Sequence, residues 1–341
     1  MQNLTIVEIA KKLNVSTATV SRALNGSSQV KEATRKKILD FTQNMGYSIN
    51  GVASTLRSNK SKIIGLIVPK ISMNFHSEVI TTIQNELYKF GYNVIILQSN
   101  DSIELEKQAT ETLSSLRVAG VIAAVTLHTT DFSHFNIFLQ REIPVIFYDR
   151  IPDYSFGSTN ISGDDFQGGY DATKHLLEVG CKNILHISGP LECYLYKYRS
   201  KGYKAALEKY GIPFKKENIY YHELTHENAW NTLVKAISND PSIDGIFTAN
   251  DTCAIAALEF CKSKGIDVPK DIKIIGYSND KRTSIASPSL STVEQFPAEF
   301  GKKTVEILMH QLNREESELS IEQKKSDNYI IPVSVIRRMS T

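Results

Sequence analysis

From Lys62 onward the chain repeats one unit: a short apolar run, a turn, and then a stretch whose apolar residues recur at helical spacing. Residues 63–68 are predicted to form a buried strand. Residues 76–90 follow as a helix that turns Val79, Ile80, Ile83 and Leu87 inward. Strands at 92–97, 120–125 and 145–148 continue the pattern, with helices at 104–116 and 132–141 between them. A second set begins near residue 160, with helix 166–179, strand 184–187, helix 198–210, strand 219–221, helix 227–238, strand 245–248, helix 252–264 and strand 272–275. This alternation predicts an α/β body made of two similar lobes, each a parallel, doubly wound sheet. Ligands of such sheets bind outside the carboxyl ends of the strands, and between two lobes that place is a cleft.

The first 60 residues follow a different pattern. They carry nine basic side chains against three acidic ones, a net of +6, which leaves 30 against 34 and a net of −4 for the rest. A small basic head on a mildly acidic body is suited to a polyanion. Thr5-Ile6-Val7-Glu8 has capping-box spacing, and Ile6, Ile9, Ala10 and Leu13 line one face of the helix it would open. Asn14 and Val15 make a short turn, Ser16 can cap a second helix, and Asn25-Gly26 can end it. In residues 16–25, Val20 and Leu24 can anchor one face while Thr17, Ala18, Ser21 and Arg22 share the other. Small and hydroxylated side chains let a backbone approach base edges, and an arginine among them can grip a guanine through two hydrogen bonds. A third helix over 31–45, with Ile38, Phe41 and Met45 inward and Gly46 as its stop, completes a three-helix core. Arg35, Lys36 and Lys37 are then able to reach phosphates. The same residues 16–25, taken alone, fit an ordinary amphipathic surface helix equally well.

Several runs in one order make a resemblance specific. Ile9-Ala10, Val15-Ser16-Thr17-Ala18-Thr19-Val20-Ser21-Arg22-Ala23-Leu24-Asn25, Val30, Thr34-Arg35 and Met45-Gly46-Tyr47 resemble the headpiece of the lactose-repressor and galactose-repressor family. Ile64-Gly65-Leu66-Ile67-Val68-Pro69, Gly168-Gly169-Tyr170, Gly189-Pro190, Asn250-Asp251, Ile274-Ile275-Gly276-Tyr277 and Leu290-Ser291-Thr292-Val293 resemble the periplasmic-binding-protein-like core of the same family. The resemblance covers nearly the whole chain. It implies a helix-turn-helix headpiece over 1–47 and a hinge helix or linker over 48–60. A first lobe would be built from 61–160 plus 291–325 and a second from 161–290 plus 326–341, with crossings near 160, 290 and 325.

By the same resemblance Thr17, Ala18 and Arg22 read bases, while Thr5, Ser16, Thr19, Ser21, Asn25 and Tyr47 hold phosphates. Asn50, Ala53 and Leu56 would lie in a hinge helix that pairs with its copy in the minor groove, Leu56 wedging into the central base step. Residues 50–57 as isolated sequence read as a linker, and Gly51 weakens their helicity by up to roughly 1 kcal/mol, so the hinge is expected to fold only on DNA. The implied effector cleft would be lined by Phe75, His76, Asp149, Arg150, Cys193, Leu195, Arg199, Leu224, Asn250 and Ser278. Many relatives have aspartate where Ser278 stands and a polar or basic residue where Cys193 stands, a departure that bears on chelation of adjacent sugar hydroxyls. The implied function is that of a cytoplasmic, homodimeric repressor. It would bind a near-palindromic operator in double-stranded DNA, under the control of a small effector. A carbohydrate is the first expectation for that effector and a purine or sugar phosphate the second.

Other readings are weaker. His222-Glu223-Leu224-Thr225-His226 matches the zinc-protease motif H-E-x-x-H, which needs both histidines on one helix and a third ligand. Here Ile219-Tyr220-Tyr221 reads as strand and Thr225 as the cap of the next helix, so a chance match is expected and no metal or cofactor is assigned. Cys181, Cys193, Cys253 and Cys261 form no C-x-x-C pair and read as buried thiols. No apolar run reaches the roughly 20 residues of a membrane span. A binding or saccharide-hydrolysing body whose head merely tethers it remains the alternative, although no acid/base pair at helical spacing supports an enzyme. If Leu56 is the wedge, Leu56→Ala should reduce operator bending in a circular-permutation gel assay, and unchanged bending would remove that role.

Overall fold

The computed structural model describes residues 5–24, 27–45, 61–153, 156–313 and 328–341. Asn25, Tyr47, Asn50, Ala53 and Leu56, with the whole segment 48–60 and the expected crossing near 325, lie outside the described residues. The chain divides into two compact units, Met1–Ser61 and Lys62–Thr341.

In the first unit α1 (Ile6–Leu13), α2 (Thr17–Leu24) and α3 (Glu32–Asn44) enclose Ile9, Ala10, Val20, Ala23, Val30 and Ile38. The capping box opening α1 is formed on both sides: Glu8 N–H donates to Thr5 Oγ1 at 3.3 Å and Thr5 N–H to Glu8 Oε2 at 2.7 Å. Asn14 ends the helix in the left-handed conformation, φ 53°. Three inward positions differ from expectation. Ala23 is buried and Leu24 only half-buried, so the inward side of α2 carries a methyl group there. Thr42 takes the inward place expected for Met45, which is exposed; its hydroxyl donates back to Ile38 O and Leu39 O, so a polar side chain is buried satisfied. Arg35 is half-buried and donates to Ser27 O, tying the α2–α3 loop, while Lys36 and Lys37 are exposed.

In the second unit a six-stranded, all-parallel sheet runs in the order β11-β5-β4-β3-β1-β2. Its strands are β1 (Ile63–Val68), β2 (Asn93–Gln98), β3 (Gly120–Ala123), β4 (Val145–Tyr148), β5 (Thr159–Gly163) and β11 (Asn328–Ile331). Helices α4 (Asn74–Lys89) and α5 (Ile103–Ser115) connect the first strands. The helix expected over 132–141 is instead a 3₁₀ turn, Ser133–Phe135, running into one α-turn, α6 (Asn136–Leu139). Phe132, Phe135 and Phe138 recur every three residues, the 3₁₀ repeat, and all three are buried; Phe132 and Phe135 meet Phe147 edge-on at 5.5 and 4.9 Å.

The other lobe holds a parallel sheet in the order β7-β6-β8-β9, from β6 (Ile184–Ser188), β7 (Ile219–Tyr221), β8 (Gly245–Thr248) and β9 (Lys273–Ile275). Its helices are α7 (Asp165–Glu178), α8 (Tyr194–Lys209), α9 (His226–Asn239), α10 (Asp251–Lys264) and the short α11 (Lys281–Ile285). A two-stranded antiparallel ribbon pairs β10 (Thr292–Glu294) with β12 (Ser334–Ile336), and between them α12 (Pro297–Leu312) returns to pack on α4 of the first lobe.

These pairings move the lobe boundaries. β5 still belongs to the first sheet, so the first passage follows Gly163. The segment Asn328–Ile331, assigned by resemblance to the second lobe, pairs residue for residue with Asn160–Gly163 in the first, and Asn160 Nδ2 donates to Asn328 Oδ1 at 3.0 Å. The last passage therefore falls at 332–333 rather than near 325.

Helices α7 and α8 approach each other closely. A Cβ on Gly169 would lie 2.2 Å from Arg199 O, and one on Gly202 would lie 2.1 Å from Phe166 O. Backbone cannot yield as a flexible side chain can. Gly169→Ala should therefore destabilise the body by about 3 kcal/mol, the upper part of the overpacking range, as read by urea unfolding; a loss below roughly 1 kcal/mol would show that the helices separate freely.

Candidate nucleic-acid interface and ligand cleft

On the head, Val20 and Ala23 turn inward, which forces the opposite face of α2 outward. Ser16, Thr17, Ala18 and Arg22 are exposed, and Thr19 and Ser21 are half-buried. Ser16 caps α2: Thr19 N–H donates to its Oγ at 3.0 Å, and the two hydroxyls are 2.8 Å apart. Thr5 is likewise engaged in its capping box. A face of small side chains around one long cation, with Lys36 and Lys37 exposed on α3, has the make-up of a surface that approaches a duplex closely.

The expected ligand cleft lies at the carboxyl ends of both parallel sheets, where each strand order reverses. From the first lobe, the turn after β4 puts Asp149 in the left-handed region, φ 60°. Arg150 beside it donates to the Asp101 carboxylate and, at 3.3 Å, to Val125 O. His76, in the first turn of α4, sets Nδ1 3.2 Å from Tyr148 Oη and Nε2 3.9 Å from Asp149 Oδ2. Burial and the neighbouring Arg150 push the His76 pKa well below its ordinary value, so the ring is neutral. Burial raises the Asp149 carboxyl above its ordinary range, against the pull of Arg199, Arg150 and a hydrogen bond from Gln295.

From the second lobe, α8 begins a turn earlier than its sequence suggested, with Cys193 at its N-cap position. Cys193, Leu195, Tyr196 and Ala249 form an apolar wall, joined by half-buried Leu224 and by Leu127 of the first lobe. Burial pushes the Cys193 thiol up to about 12, leaving it a neutral apolar contact. Arg199, one turn further along α8, donates through Nε to Asp165 Oδ1 at 2.9 Å and through Nη1 to Ala249 O at 2.7 Å. Its guanidinium lies 3.5 Å from the centroid of the Tyr277 ring. Ser278, held at φ 111°, donates to Gln295 Oε1 at 2.7 Å, which links it through Gln295 to Asp149.

The expected lining residues thus separate. Asp149, Arg150, Arg199, Cys193, Leu195 and Ser278 come together at the carboxyl ends of the two sheets. Phe75 turns into the first lobe's core, edge-on to Phe300 at 5.2 Å, since the apolar side of α4 claims it. Asn250 is consumed by structure: its Oδ1 accepts from Cys253 N–H at 2.9 Å and its Nδ2 donates to Leu224 O at 3.1 Å. Sequence reasoning missed Asp101, Asp165, Tyr196, Tyr277 and Gln295. Asp101 is 49 residues from Arg150, and Asp165 is 34 from Arg199, so only the fold pairs them. The paired acids just before Gly168-Gly169 were the available signal for Asp165.

His222 lies in the turn after β7, its Nε2 2.9 Å from Thr232 Oγ1, while His226 opens α9 with Nε2 2.8 Å from Glu259 Oε2. The two imidazoles have separate partners. Among the described residues no three His, Cys, Asp or Glu side chains are gathered to hold a metal. The four cysteines are free, buried thiols, and no described helix is long and apolar enough to cross a membrane.

Residues 5–50 match a family model described as bacterial regulatory proteins, lacI family, and residues 61–338 match one described as periplasmic binding proteins and sugar binding domain of LacI family. Catabolite control protein A of Priestia megaterium is 31% identical over 94% of this chain and 96% of its own. The HTH-type transcriptional repressor PurR of Actinobacillus pleuropneumoniae is 31% identical over 90% of this chain and 91% of its own. Among solved structures, the lac repressor dimer bound to operator and the anti-inducer ONPF superposes with TM-score 0.85 at 22% identity, covering 100% of this chain and 99% of that one. A LacI transcriptional regulator from Alkaliphilus metalliredigens complexed with D-xylulofuranose gives 0.70 at 28% identity, covering 82% and 99%. If Arg22 reads a base, Arg22→Ala should cost roughly 1 to 3 kcal/mol of operator binding and relax one base position. Competition binding across single-base operator variants measures this, and an equal loss on every sequence would count against the role.

Proposed function

The chain belongs to the lacI family of bacterial regulatory proteins, DNA-binding transcription regulators and not enzymes; on that footing we propose that it is a cytoplasmic repressor whose grip on a near-palindromic operator is set by a carbohydrate in the body cleft. Repressors of this family bind operator DNA and small effectors as dimers. In this chain Thr17, Ala18 and Arg22 would read bases. Thr5, Ser16, Thr19, Ser21, Asn25 and Tyr47 would position the head on phosphates, and Asn50, Ala53 and Leu56 would occupy the minor groove.

The observation that carries the effector reading is the two-sided character of the cleft. One side is the apolar wall of Cys193, Leu195, Tyr196 and Leu127; the other is the connected polar set of Asp149, Gln295 and Ser278. A sugar ring has the same two sides, an apolar face of C–H groups and an edge of hydroxyls that need donors and acceptors once dehydrated. A purine would draw most on aromatic faces, yet Phe75 is engaged by Phe300 and His76, and the opposing wall is mainly aliphatic. The D-xylulofuranose bound by the Alkaliphilus relative agrees with the carbohydrate reading. The mechanism would be a population shift, in which the occupied cleft favours one angle between lobes and so one spacing of the two hinge segments.

A thermal-shift screen of neutral sugars and nucleosides, followed by operator binding with and without each hit, tests this. A sugar that raises the midpoint should change operator affinity by roughly 5- to 150-fold, the range of ordinary allosteric coupling. Response to nucleosides alone would remove the carbohydrate reading. Saccharide hydrolysis without operator binding would remove the regulatory one.

A further inference from the structure

The cleft contains two buried arginines, and each already has its own carboxylate. Arg150 is paired with Asp101 and Arg199 with Asp165; Arg150, Arg199 and Asp165 are all at least 97% buried. A third carboxylate, Asp149, is buried between them and feels both arginines. His76 beside it adds no charge, since burial holds it neutral. Burial raises both Asp149 and Asp165, the latter to about 6, so above that pH two cations against three anions leave a net of −1 in a region from which water is largely excluded. Of the lysines nearby, Lys197 pairs with Asp153 and Lys281 with Glu78, so neither is a free cation.

Helix ends oppose this. α4 and α8 begin at the cleft without a side-chain cap, and each N-terminus presents about half a positive charge. Together these two ends offset up to about one unit of that charge. A neutral guest leaves that balance intact. A phosphate ester, with a charge near −2 at neutral pH, would meet two arginines whose charge is already balanced by Asp101 and Asp165, although Arg150 Nε has no hydrogen-bond partner of its own.

We infer that Asp165 and Asp101 are specificity-determining residues: by occupying Arg199 and Arg150 they make the cleft select a neutral effector and reject its phosphorylated form. This rests on the cleft being the effector site, and it narrows the chemical class of what binds there. One unit charge at roughly 6 Å, in an effective dielectric of about 20, weighs about a hundred-fold in affinity.

The direct test uses inorganic phosphate as the probe on the full chain, with thermal unfolding as readout. Asp165→Asn keeps an oxygen for the Arg199 Nε–H bond and removes one negative charge. Millimolar phosphate should raise the midpoint of this variant and leave the natural chain unchanged. Asp101→Asn, which frees Arg150 in the other lobe, should behave likewise and serves if the first variant does not fold. Stabilisation of the natural chain by phosphate, or none in either variant, would overturn the inference. A second arm compares glucose with glucose 6-phosphate, ribose with ribose 5-phosphate and adenosine with its 5′-phosphate. For whichever neutral compound binds, its ester should bind about a hundred-fold more weakly; tighter binding of the ester would also overturn it. If adenosine alone binds, the carbohydrate reading falls while the charge selection stands.

Discussion

Arg199 is the residue around which the second lobe's side of the cleft is arranged. A guanidinium taken out of water is tolerated only with a counter-ion and filled hydrogen bonds, and an unpaired one would destabilise the fold by several kcal/mol. Asp165, Ala249 O and the face of Tyr277 meet that demand together. Each depends on architecture. Asp165 opens α7, and it reaches Arg199 because Gly169 and Gly202 let α7 and α8 touch backbone to backbone. Ala249 follows β8 and Tyr277 follows β9, so the strand order of the sheet decides which atoms surround the guanidinium. One buried cation thus couples helix packing, sheet topology and the chemistry of the ligand surface.

The parts of this molecule legible in sequence are those written in short-range pattern. The buried strands Ile63–Val68 and Val145–Tyr148 are apolar throughout, and the structure places both at the predicted residues. The capping box at Thr5, the cap at Thr225 and the α2 face carrying Arg22 all depend on spacings of three or four residues. What was not legible depends on long separations. The strand Asn328–Ile331 alternates weakly, and its partner lies some 168 residues earlier. Asn250 is expected at the ligand by resemblance, and its amide caps α10 in the structure, a use for which the same residue type is equally suited. Residue type nominates; only the geometry distinguishes between two uses of one side chain.

The same limit applies to charge. Along the chain, Arg150 and Arg199 have only Asp149 as a neighbouring counter-charge among the expected lining residues. Folding brings Asp101 and Asp165 to them and cancels their charge. Burial then makes the cancellation matter, because a charge left over in a medium of low effective dielectric acts far more strongly than one at a surface. Selection by such a cleft follows from the charge the protein has already neutralised as much as from the contacts it offers.

A comparable economy governs the head. Thr17 and Ala18 are small, and Ser16 and Thr5 spend their hydroxyls on capping, so one head has few side chains left for specific bonds to bases. Phosphate contacts of the kind that exposed Lys36 and Lys37 would make add affinity without sequence discrimination. A reader this sparse needs a second copy and the shape of the DNA to reach useful specificity. That weakness makes control from a distance possible: when two modest grips must act jointly, a small change in the spacing between them is enough to lose both.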